Sequence, residues 1–119
     1  MNSFFNASRK DIVELEKQLT SVPAVAPEGG GDGETKKCAV LEKWLKENGF
    51  TDIQKIEAPD SRVSSGVRPS LIATIPGKSK DAVWVMAHLD VVPTGDMSLW
   101  KTNPWECVEK DGKLYGKKR

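Results

Sequence analysis

A chain of 119 residues lies near the common size of a single domain and could bury about two thirds of its extended-chain surface, so it has room for one core and no more. Its 18 Lys+Arg against 17 Asp+Glu leave a formal charge of +1, which gives no global bias toward nucleic acid or an anionic membrane; partners must be argued from sites. The longest strongly apolar run, Ala82 to Ala87, is too short to span a bilayer as a helix, the opening MNSFFNASRKD has no apolar segment behind a basic start, and Cys38 and Cys107 fit no CxxC pattern, so a soluble, reducing, cytoplasmic setting is expected.

In chain order, Ser8 and Asp11 read as the capping pair of a first helix, with Ile12, Leu15 and Leu19 on one face and a stop near Val22 imposed by Pro23. PAVAPEGGGDGE is a Pro/Gly-rich loop. A second helix is predicted from about Asp32 or Gly33 to Asn48: Cys38, Leu41, Trp44 and Leu45 recur at helical spacing, Glu42 and Lys46 form an i,i+4 pair, and Gly49 supplies the stop. TDIQKIE and SLIATIP are of strand length, with the polar loop APDSRVSSGVRP between them. AVWVMAH is expected to be a strand covered on both faces and paired antiparallel with SLIATIP through the short connection GKSKD. In ECVEKDGKLYG, Asp111-Gly112 sits between two strand-like runs and predicts a hairpin. The expected fold is α/β, a mixed sheet with the N-terminal helices packed on it. The apolar run lacks helices enough to cover it, which predicts an exposed patch and self-association.

The one histidine, His88, falls at the carboxyl end of the most apolar predicted strand, where ligands gather in open α/β sheets. Asp90, two residues on in a segment held by Pro93 and Gly95, could reach the imidazole and fix its tautomer while the other ring nitrogen binds a metal. Spacing alone leaves the alternatives open: a hydrogen-bonded or partly exposed structural histidine, and an aspartate that stabilises a turn. Trp44 and Trp84 sit within apolar patterns and are expected in the core. Trp100 and Trp105 flank KTNP and could pack a loop or line a pocket, Cys107 reads as a buried thiol, and the basic end GKKR as a solvated charge run.

The stretch HLDVVPTGDMSLWKTNPWECVEKDGKLYG resembles the M20 family of zinc metallopeptidases and deacylases, which includes dipeptidases, acetylornithine deacetylase, succinyl-diaminopimelate desuccinylase, aminoacylase and glutamate carboxypeptidase. The HxDVVP core, the Trp100 to Trp105 step and the DGKLYG hairpin match in order, and the earlier helix, Gly/Glu-rich loop and helix ending ENGF agree, so the likeness covers nearly the whole chain.

The resemblance implies that His88 is a zinc ligand and Asp90 the acidic residue that clamps and polarises it. It also implies a reaction in which two zinc ions activate a bridging water against the amide bond of a small peptide or N-acyl amino acid. The family's bridging aspartate, its Glu-Glu pair, its remaining ligands and its dimerisation domain are not in these 119 residues. Residues 1–119 are therefore expected to be the N-terminal part of such a catalytic domain, incomplete at the C-terminus, with at most a partial zinc site. Alone, the chain is expected to be inactive, or to act only by associating with a complementary chain.

Overall fold

The computed structural model describes residues 9–117. The cap expected from Ser8 lies outside them. The first helix, α1, runs Arg9–Thr20 with Asp11 in its first turn, where a carboxylate faces the positive end of the dipole. Its buried positions are Val13, Leu19 and Thr20. Ile12, expected on that face, is instead 59% exposed. It lines an open groove with Trp100, Leu114 and Tyr115.

The Pro/Gly-rich loop contains one 3-10 turn, Pro27–Gly29, and leads into α2, Thr35–Glu47. This helix begins later than the sequence suggested because Gly33 is held at φ 75°, outside the right-handed helical region, and the Glu34 side chain makes no cap hydrogen bond. It is directed to Arg68 instead. Cys38 is fully buried, the Lys46–Glu42 pair forms at 2.6 Å, and Gly49 follows the helix at φ 87°, the left-handed conformation that suits its C-terminal position.

Strands β1, Asp52–Pro59, and β2, Val67–Thr74, form an antiparallel ribbon in register from Asp52 opposite Thr74 to Pro59 opposite Val67. Strands β3, Val108–Lys110, and β4, Lys113–Tyr115, form the second ribbon. Its turn has Asp111 at φ 52° and Gly112 at φ 72°, the two left-handed residues of a tight hairpin, as the Asp-Gly pair predicts. The protein is thus mixed α/β, with α2 packed on β2 and α1 against α2. Its sheet differs from expectation: two antiparallel ribbons stand in place of one mixed sheet, and the parallel pairing found among the described residues is the single bridge Val25–Val91.

The larger departure is AVWVMAH. Residues 82–88 form no strand and do not pair with β2, whose ladder partner is β1. Val83 is 93% and Trp84 70% exposed, so Trp84 is not a core residue; Trp44 is half-buried. The physical reason is cover. A run apolar at every position needs a layer over each face, and no described element lies over this one. Among the described residues the buried apolar side chains include Val13 and Leu19 of α1, Cys38 of α2, and Ala24, Val63, Val91 and Cys107 of the connecting segments. Cys107 is buried as expected, and loss of solvation pushes its thiol pKa up.

Candidate metal-binding histidine and its supports

His88 lies just before the point where the chain becomes fixed again. Val91 donates its N–H to Ala24 O (2.9 Å) and accepts from Ala26 N (3.2 Å), which pins the backbone immediately after Asp90 to the loop following α1. The Val91 side chain is buried in the core. His88 itself is not at the end of a buried strand, since the segment before it is unpaired, and its side chain is 66% exposed.

The structure brings His88 and Asp90 together, though not through the carboxylate first. His88 Nδ1 is 2.8 Å from the main-chain carbonyl of Asp90, whereas Asp90 Oδ1 stands farther off, at 3.4 Å. A carbonyl oxygen can only accept, so in the neutral ring this contact favours the tautomer with the proton on Nδ1 and the lone pair on Nε2. The sequence reading assigned that choice to the carboxylate; a carbonyl two residues along does the closer half of it.

Two residues that sequence reasoning did not single out complete the surroundings. Arg68, on β2, donates from Nε and Nη2 to both oxygens of Glu34, at 2.8–3.1 Å, and its Nη2 also lies 3.9 Å from Asp90 Oδ2. The Glu34 hydrogen bonds, and the nearby Asp90 charge after them, hold the Arg68 pKa above its ordinary value. Glu34, Leu41, Leu71, His88 and Asp90 line a cavity of about 280 Å³. The 34-residue separation of Glu34 and Arg68 hid the pair, and its one sequence trace is Arg68 as the lone charge among the small and apolar residues from Ser64 to Pro76.

Elsewhere, Trp100 donates its indole N–H to Thr94 O at 3.0 Å and so fastens the loop, while it also lines the groove beside α1. Among the described residues no three His, Cys, Asp or Glu side chains are grouped so as to hold a metal ion, and no helix is long and apolar enough to cross a membrane.

An imidazole with one nitrogen engaged by the main chain and a carboxylate behind it is an arrangement found in metal-dependent hydrolases, and similarity points to the same class. The chain is similar to proteins named as metallohydrolases and succinyl-diaminopimelate desuccinylases, in line with its resemblance to the M20 family. It is 34% identical over 114 residues to an uncharacterized metallohydrolase of Methanocaldococcus jannaschii, covering 91% of this chain and 27% of that protein. It is 32% identical over 111 residues to an uncharacterized metallohydrolase of Methanococcus maripaludis, covering 90% and 27%. It is 33% identical over 118 residues to a succinyl-diaminopimelate desuccinylase of Colwellia psychrerythraea, covering 98% and 27%. The chain therefore spans about a quarter of the length of these relatives. No family model matches it, and no solved structure matches it significantly.

Proposed function

We propose that the chain supplies the N-terminal part of the catalytic domain of a dinuclear zinc hydrolase, one that cleaves the amide bond of a dipeptide or N-acyl amino acid by metal-activated water. In this reading His88 is a zinc ligand and Asp90 orients it. The observation that supports it is the state of the ring: Nδ1 is engaged by Asp90, and Nε2 of an exposed imidazole is left to coordinate. The desuccinylase name of several relatives favours a small acylated substrate.

The donor set does not by itself fit a complete zinc site. A catalytic zinc takes about three protein ligands, and the described residues bring no such group together. His88 is therefore one arm of a site whose other donors belong to the rest of the enzyme, and the work of these residues is to hold and aim the imidazole. A cytoplasmic setting belongs to the same proposal and is supported by two unpaired, buried thiols.

A second reading is favoured by the exposed run Val83 to Met86: this polypeptide taken alone is non-catalytic and acts by associating with a complementary chain or with itself. Two measurements test both readings. Purified chain assayed with zinc or cobalt against dipeptides and N-acyl amino acids is expected to show no turnover; chelator-sensitive turnover that disappears in His88→Ala would overturn the second reading. Zinc titrated into the chain is expected to bind at His88, to be lost in His88→Ala, and to be weakened on the order of 10–100-fold in Asp90→Asn. Equal zinc uptake by both variants and the parent would remove His88 as a ligand.

A further inference from the structure

Arg68 stands on β2 with its guanidinium between two carboxylates from distant parts of the chain. Glu34, at the head of α2, is the inner partner: its side chain is only 9% exposed, and both its oxygens accept from Arg68. Such two-point pairing fixes the plane of a guanidinium in a way that a lysine ammonium cannot reproduce. The guanidinium so fixed turns Nη2 toward Asp90 Oδ2, the oxygen that does not face the ring, while Oδ1 faces His88 Nδ1. One guanidinium thus meets two carboxylates, and the group keeps a negative charge on the side of the imidazole.

The backbone after Asp90 is already held by the Val25–Val91 bridge. What that bridge does not fix is the Asp90 side chain, which is 38% exposed and has water as a competing partner. We propose that Arg68, tethered by Glu34, is a positioning residue for His88: its charge steadies the Asp90 carboxylate 3.9 Å away, and that carboxylate adds to the Asp90 carbonyl in favouring the proton on Nδ1 and the lone pair on Nε2. The purpose of this arrangement rests on the reading of His88 as a metal ligand, but the arrangement itself can be tested without metal.

His88 is the only histidine of the chain, so its two ring nitrogens can be observed without assignment in the full 119-residue protein labelled with nitrogen-15. Spectra are taken at a pH where the imidazole is neutral. The parent is expected to show the Nδ1–H tautomer as the major form, Arg68→Met to show a clearly smaller share of it, and Arg68→Lys to fall between, with the amide signals of α2, β1 and β2 in place. Should Arg68→Met fail to fold, Arg68→Lys carries the same comparison, because it keeps a positive charge beside the nearly buried Glu34. A tautomer ratio unchanged from the parent in a folded Arg68 variant would overturn the proposal, since the Asp90 carbonyl alone would then suffice. Zinc ions added to the same samples separate the two readings. If Nε2 ignores zinc while the tautomer follows Arg68, the metal reading fails and this one stands; if Nε2 responds to zinc while the tautomer ignores Arg68, this one fails.

Discussion

Asp60 lies two residues before the guanidinium that governs it. Arg62 donates to Asp60 from Nε at 2.8 Å, from Nη2 at 2.7 Å and from its main-chain N–H at 3.0 Å, and these bonds hold the Asp60 carboxyl down to about 2. A carboxyl depressed in the folded state stabilises the fold above its ordinary pKa, near 4, and that contribution is lost as the pH falls through the folded value. Arg62→Ala is therefore expected to return the Asp60 titration toward the ordinary carboxylate range and to move the onset of acid unfolding upward in pH. A carbon-13 titration of the side-chain carboxyls reads the first effect, and circular dichroism against pH the second. At this scale the sequence was informative where partners are near neighbours and stand out by motif or spacing, as with Glu42 and Lys46 or His88 and Asp90. It was silent on Glu34 and Arg68, because a pair 34 positions apart becomes a pair only when α2 packs on β2.

Elements read from period and punctuation were the most legible. Helix α2 ends where Gly49 can take a left-handed conformation, and β3 and β4 turn back at Asp111-Gly112 for the same reason. The loop between the helices was legible only as a loop, yet it does the most to place the candidate site. Gly31 packs so closely on it that an added Cβ would stand 2.0 Å from Val25 O, the atom that accepts from Gly33 N. Val25 is also the residue bridged to Val91. Since the clash is with main chain, Gly31→Ala must displace the loop, and a loss of about 1–3 kcal/mol is expected by analogy with overpacked cores. Urea unfolding measures the loss. Amide spectra should show residues 88–91 shifting with the loop, whereas an unchanged midpoint and spectrum would mean that Val25 can retreat freely.

At the scale of the molecule the balance of cover decides behaviour. The radius of gyration is 16.1 Å, above the roughly 13.5 Å of a compact domain of this length. The run from Val83 to Met86 stands 70–93% exposed, with Leu99 and Ile12 also largely uncovered. Contiguous apolar surface of this kind promotes association. Light scattering is expected to show concentration-dependent growth of the particle, and Trp84→Lys to reduce it by placing a charge in the run. A parent chain that stays monomeric and unfolds cooperatively at high concentration would count against this expectation.

From the sequence by itself came the α/β class, both helices, the Asp-Gly hairpin, the buried thiol of Cys107 and the resemblance to M20 hydrolases, because each rests on local spacing or on a motif continuous along the chain. Tertiary structure alone decided which strands pair, and it gave β2 to β1 rather than to residues 82–87. It also exposed Trp84 and Ile12, assigned the nearest contact of His88 Nδ1 to a carbonyl, and set Arg68 between Glu34 and Asp90. The physical reason is the same in each case. Apolar character states that a segment needs cover, but whether it has cover depends on what other elements bring within reach, and no pattern within the segment contains that.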